Sequence, residues 1–295
     1  MAKVLVNENN LTNIANAIRG KNGSTNTYKP SEMAAAITAI SGGGGGGGGN
    51  EKAIIERTFS GIYTNNEITK IGDYAFAGLK NNITGINAPN VESIGEYAFR
   101  GCGNIQSINM PKVKTIGVNA FGYNVYTTMP KCVTNNTFPL LESCHDGNVL
   151  FGYMFDGELL YLPKMKEMLS MKDLKADSPK YINLPEFVDQ YISLRRMFGN
   201  NKVIQKVWLP KVANIQYKDF NGCTALVALI LAKTTLVPLT DVNAFENSTV
   251  ATGTGYIYVP SALVSEYKTA TNWVTYASQI RAIEDYPDIC EAMTP

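Results

Sequence analysis

The residues best equipped for chemistry lie in one short stretch of the chain. The sole histidine, His145, follows Cys144 and precedes Asp146, and Cys132 stands twelve residues before Cys144. A thiol beside an imidazole could form a nucleophile–base pair. Adjacent residues of an extended chain point to opposite faces, however, so Cys144 and His145 are poorly placed for that role. A zinc site needs four ligands at recognisable spacing, whereas Cys132, Cys144 and His145 supply three and include no Cys-x-x-Cys pair. The carboxylates Glu142, Asp146, Asp156 and Glu158 crowd the same region. Two of them across a groove would suit glycoside hydrolysis, but the pattern implies no pocket. The reading the spacing favours is an irregular insertion with an exposed histidine, without catalytic residues, metal or cofactor.

Two further features invite chemical readings and fit plainer ones. Residues 42–49 are eight consecutive glycines between Ser41 and Asn50. No Gly-Lys-Ser/Thr follows them, so they are not a phosphate-binding loop. Lys164, Lys166, Lys172, Lys175 and Lys180 form a loose basic stretch with acids interspersed, which reads as a solvated face.

The elements that would position these groups are set by a repeat. Ile94-Gly95-Glu96-Tyr97-Ala98-Phe99-Arg100-Gly101-Cys102 is followed by Ile105-Gln106-Ser107-Ile108-Asn109-Met110-Pro111. Ile71, Ile94 and Ile116 recur at 23 and 22 residues, and Phe76, Phe99 and Phe121 keep the same offsets. A fixed period in the twenties marks a solenoid whose units touch only their neighbours. Proline supplies a second ruler: Pro89, Pro111, Pro163, Pro185, Pro210 and Pro260 each follow an apolar-x-apolar tripeptide. Such alternation predicts a short half-buried strand, which proline ends because it cannot donate to a ladder. Ala232 stands where the next proline is due. Between Pro130 and Pro163 the frame loosens, and a bulged or inserted unit is expected around 124–158. Cys102 and Cys223 both fall three residues after their phenylalanine and read as small buried positions with reduced thiols.

The register separates inward columns from outward ones. The residue two before each strand end is predicted to face away from the core, and this column reads Asn87, Asn109, Thr128, Tyr161, Asn183, Trp208, Ile230, Tyr258. Its second half is aromatic or apolar where water would favour polar groups. Exposed, Tyr161, Trp208, Ile230 and Tyr258 would make a binding stripe for sugar faces or a protein. The alternative is that the C-terminal helices or a neighbouring subunit cover them.

The quoted motifs resemble the BspA-like leucine-rich repeats over roughly 65–285. That resemblance implies an α/β solenoid, curved and right-handed, with one short strand per turn. It also implies a broad role in adhesion and partner recognition rather than one chemistry. Gly255-Tyr256-Ile257-Tyr258-Val259-Pro260, then Leu263, Tyr267-Lys268 and Trp273, is similar to the usual ending of such arrays. The domains expected are an N-terminal helical module at 1–41, a glycine linker at 42–50, the solenoid at 51–260 and a C-terminal helical cap at 261–295.

Within the N-terminal module, Leu11, Ile14, Ala15 and Ile18 recur at helical spacing before Gly20, and Met33, Ala36, Ile37 and Ile40 follow Pro30. Two short helices bury too little surface to stand alone, so this hairpin is expected to dock onto something. The stretch from Leu11 to Ile37 resembles the N-terminal segment of phage tail-associated structural proteins. The resemblance implies virion anchoring through Leu11, Ile14, Ile18, Met33 and Ile37, with other tail or baseplate proteins as partners.

Composition narrows the remaining classes. A net charge of +1 gives no case for nucleic acid, and no apolar run approaches a membrane span. The apolar run at Met1–Val6 is too short for a secretory signal. The function expected is a non-enzymatic bacteriophage virion protein, made in the host cytoplasm and built into the tail fibre or baseplate as a homo-oligomer. It would bind a host-surface protein or polysaccharide through its repeats. A bacterial or prophage-encoded surface adhesin and a glycan-degrading tail enzyme are the alternatives.

Overall fold

The computed structural model describes residues 54, 58–79, 82–122, 130–168, 171, 179–188 and 197–293. Leu11, Ile14, Ile18, Met33 and Ile37, the glycine run, Thr128, Lys172 and Lys175 lie outside the described residues. Ser60–Pro295 forms one compact unit.

In chain order its strands are β1 (Gly61–Thr64), β2 (Lys70–Ile71), β3 (Ile83–Asn87), β4 (Ser93–Ile94), β5 (Ser107–Asn109), β6 (Thr115–Ile116) and β7 (Ser143–Cys144). They continue as β8 (Leu159–Tyr161), β9 (Glu167–Met168), β10 (Tyr181–Asn183), β11 (Lys206–Trp208), β12 (Ala228–Ile230), β13 (Tyr256–Val259) and β14 (Ile280–Ala282). Among the described residues, all pairings between these strands are parallel and join each one to its equivalent in the next turn. The described strands form three sheets, ordered β1-β3-β5, β8-β10-β11-β12-β13-β14 and β2-β4-β6-β7-β9. This is a repeat solenoid of short parallel strands, with the predicted strands in the first two sheets.

The third sheet escapes a reading of sequence pattern because its strands are two residues long. It explains the Ile-Gly pair of the motif. Ile71, Ile94 and Ile116 stack inward in successive turns, and Cys144 and Met168 continue their column. A Cβ on Gly95 would lie 2.6 Å from the Asp73 backbone nitrogen, and one on Gly117 2.8 Å from that of Glu96. Successive turns thus approach so closely here that only glycine fits.

The core is a stack of columns. Phe76, Phe99 and Phe121 lie ring on ring with centroids 4.9 Å apart, and Phe198, Phe220 and Phe245 repeat the ladder at 5.1 and 5.4 Å. Each such pair contributes about 0.5–1.5 kcal/mol beyond its buried area. The Phe99 backbone N–H donates to Ala120 O at 2.6 Å, tying each turn to the next. Cys102 and Cys223 are fully buried, as expected, and do more than fill space. Their thiols donate to the carbonyls of Phe76 and Phe198 in the preceding turn, at 3.3 and 3.1 Å. Asn201 occupies the same column and makes the same kind of bond to Met171 O.

The irregular unit keeps the stack through two side chains. Partners in the third sheet are 22 residues apart at Ile94 and Ile116 but 28 apart at Ile116 and Cys144. Where β5 and β8 would need a strand between them, the described residues offer a single bridge, from Val133 to Phe155. The Asn135 amide acts as a substitute backbone, donating to Leu159 O at 3.0 Å and accepting from Tyr161 N at 2.9 Å. Asp146 does the same for the Phe ladder. Its carboxyl oxygen accepts from Phe121 N, where a carbonyl serves Phe76 and Phe99.

The chain end differs from the expected helical cap. A helix at Val264–Thr269 and 3-10 segments at Ser261–Leu263 and Trp273–Gln279 are present, and Trp273 and Tyr267 are buried. After them, however, β14 adds a further strand to the sheet, its Ile280 lying 23 residues beyond its partner Ile257. A last 3-10 segment, Pro287–Met293, then runs back to β10 and β8.

Candidate functional site

The column singled out for binding is where the strand register places it, but its exposure is not as expected. Ile230 is fully buried and Tyr258 is 6% exposed, while Tyr161 and Trp208 are half-buried. The stripe is therefore corrected: the C-terminal segment of the same chain covers it. Met293, itself fully buried, packs with Ala228, Ile230 and Tyr258, flanked by Tyr181, Trp208, Tyr256, Ile283, Ile289 and Cys290. Tyr286 sets its ring edge against Tyr258 at 5.4 Å. The Asn183 amide donates to Met293 O, and Lys206 Nζ donates to Ile289 O at 3.4 Å. Apolar residues face outward on these strands because chain, not water, lies over them.

The outward face of β1-β3-β5 has the opposite character. It carries Thr64, Asn87, Ser107 and Asn109, and Asn109 donates to Asn87 Oδ1 at 2.7 Å. Ile62 is 58% exposed beside them. On the turn after each third-sheet strand a second, half-open ladder pairs Tyr74 with Tyr97 at 5.0 Å, and Arg100 lies 5.4 Å from the Tyr97 ring centre. Both tyrosines hold left-handed backbone angles, φ 57° and 52°, an uncommon state for a bulky residue. The turn geometry imposes it, since Asn119 at the equivalent position has φ 48°.

The chemical cluster dissolves into the fold. Cys144 faces inward, fully buried, and burial pushes its thiol well above the usual range. Cys132 is also raised, to about 12, by burial, and its thiol donates to Ile105 O. His145 is half-buried rather than exposed, with Nε2 3.7 Å from Glu167 Oε1. Among the described residues no three histidine, cysteine or acidic side chains come together to hold a metal. Of the four carboxylates, Asp146 is buried in the ladder, Glu142 pairs with Lys166 at 2.6 Å, and Glu158 pairs with Lys180. Lys166 and Lys180 of the basic stretch are thus neutralised in place. With Glu92–Lys114 at 2.9 Å and Glu186–Lys211 at 2.7 Å, they form rows of alternating sign along the solenoid. Lys114, Leu140, Glu142, Lys164, Lys166 and Glu186 line a shallow depression of about 280 Å³ there. The Lys166 ammonium bond holds Glu142 below its ordinary pKa, as Lys114 does for Glu92.

The repeat spacing, the glycine close approach and the phenylalanine ladder meet in one stretch that a family profile recognises, described as a BspA type leucine rich repeat region in six copies. The match spans residues 52–138. Beyond them the later turns of the solenoid continue with their own parallel strands and stacked rings.

The similar solved structures are leucine-rich repeat proteins. One from T. pallidum is 17% identical, with 70% of this chain covering 79% of that one at a TM-score of 0.37. One from Bacteroides ovatus is 20% identical, with 65% covering 66% at 0.23. A leucine rich cell surface protein from Faecalibacterium prausnitzii is 14% identical, with 75% covering 86% at 0.23. No curated protein matches the chain.

Asn135 and Asp146 are the residues whose roles motif patterns do not announce. Asp146 stands among the candidate acids because it lies in the carboxylate-rich stretch with Glu142, Asp156 and Glu158. The signal for its real role is the six extra residues of that turn, which leave a ladder N–H to be met by a side chain.

Proposed function

We propose that the chain is a non-enzymatic bacteriophage virion protein, part of a tail fibre or baseplate, whose leucine-rich repeat domain contacts a host-surface receptor. The observation that carries this is the order of parts. A segment resembling phage tail proteins precedes eight glycines, and a repeat solenoid follows. The glycine run has the composition of a flexible tether. Tethering several copies to one particle raises the effective concentration of the repeat domain at a cell surface. Adhesive use of the domain is compatible with its leucine-rich repeat architecture.

Receptor contact falls to surfaces that remain open: the polar face of β1-β3-β5 with Ile62, and the Tyr74–Tyr97 ladder. The purified full chain should bind susceptible cells and reduce phage adsorption, and gold label at its C-terminus should appear on the tail in electron micrographs. Failure to bind cells or block adsorption, with label on the tail, would leave a purely architectural role. A protein found at the bacterial surface and absent from particles would favour the adhesin reading.

A further inference from the structure

We propose that the outward face of β8-β10-β11-β12-β13 is a peptide-docking surface that the chain's own C-terminal segment occupies, and that its partner is an extended peptide with apolar side chains and acidic neighbours. Such docking is independent of what the repeat domain contacts on a cell.

Three observations carry it. First, the floor is built for an apolar occupant: Tyr161, Tyr181, Trp208, Ile230, Tyr256 and Tyr258 face outward on five adjoining strands. Second, the present occupant fits incompletely. Beneath it Asn183, 1% exposed, has an amide oxygen with no hydrogen-bond partner, and so does the buried ring nitrogen of Trp208. One needs a donor and the other an acceptor, and each residue of an extended peptide backbone offers both. Third, the occupant is short and is anchored mainly through Met293. Pro287–Met293 is seven residues of 3-10 turn, of which Met293 is fully buried and Ile289 and Cys290 only partly. Ordering seven residues opposes that limited burial, so the segment should open more readily than the strands beneath it.

The occupant also reports the ligand's chemistry. Its sequence Pro-Asp-Ile-Cys-Glu-Ala-Met is apolar with two acids, and Lys206 and Arg281 stand at the rim. A competing peptide of that kind would dock by adding main-chain bonds and alternate side-chain contacts, as in other extended-peptide sites.

Two measurements test this. In the full chain, amides of 287–293 should exchange with deuterium on the order of 100-fold faster than those of β11 and β12. Exchange at the same rate as those strands would overturn the proposal. A chain ending after Tyr286 should stay folded by circular dichroism and bind a fluorescent peptide carrying residues 285–295, with Cys290→Ser, in a saturable way. The full chain should bind that probe at least about 10-fold more weakly, because its own segment competes. Trp208→Ala in the shortened chain should weaken the probe, because it removes the ring the segment packs against. A shortened chain that unfolds, or one that folds and does not bind, would each overturn the proposal.

Discussion

Two stretches of strand in this molecule share an inward face and differ in the outward one. In β1-β3-β5 the outward residues are Thr64, Asn87, Ser107 and Asn109, and they lie open or half-open to solvent. In β8 to β13 they are Tyr161, Trp208, Ile230 and Tyr258, and the chain's own last segment lies over them. Inside, both stretches stack phenylalanines about 5 Å apart and use a buried thiol to bond the preceding turn. The inner columns are therefore set by the repeat, while the outer columns record what each face meets. An aromatic outward column marks a covered face, and its cover can be intramolecular.

A charge placed on each face in turn should separate the two most strongly. Ile230→Asp should cost about 3–4 kcal/mol in denaturant unfolding, because its carboxylate reaches water only by lifting off the segment above it. Ile62→Asp, on the open face, should change stability by no more than about 0.5 kcal/mol. Equal costs would abolish the distinction.

The turn between the two regions gives the next largest effect. Burial lifts the Asp146 carboxyl to about 8, so the folded chain holds a proton there that the unfolded chain has released. The stability of this site is greatest below about pH 4, where both states hold the proton, and falls as pH rises toward 8. Asp146→Asn keeps an oxygen for Phe121 N without the charge. It should flatten that decline and raise stability at pH 8 by on the order of 3 kcal/mol. Unfolding curves for both proteins from about pH 4 to 8 check this.

The inner columns should respond alike on both sides. Cys102→Ala and Cys223→Ala should each cost about 1–2 kcal/mol, since each loses the same bond and the same small volume. A large inequality between them would show that the two halves do not share one interior. Smallest of all, Lys166→Gln should leave the unfolding midpoint unchanged, because its partner Glu142 is solvated on an open row.

Much of the interior is legible in the amino-acid sequence alone. Ile71, Ile94 and Ile116 declare the period, the prolines mark strand ends, and Phe99, Phe198 and Phe220 keep their offset because each must stack on the turn beside it. Cys102 and Cys223 read as packing for the same reason. What stays hidden is nonlocal. Ile230 looks the same in sequence whether it meets water, another subunit or Met293. The two-residue strands of the third sheet carry too little alternation to read. Asn135 and Asp146 serve backbone atoms 24 to 26 residues away, and no local pattern announces that.

The most direct test of the covered and open faces is thiol labelling of Ile230→Cys and Asn109→Cys in the full chain, followed peptide by peptide in a mass spectrometer. Asn109→Cys should react like an exposed thiol, and Ile230→Cys on the order of 100-fold more slowly. Similar rates at the two positions would contradict a covered face on one side and an open face on the other.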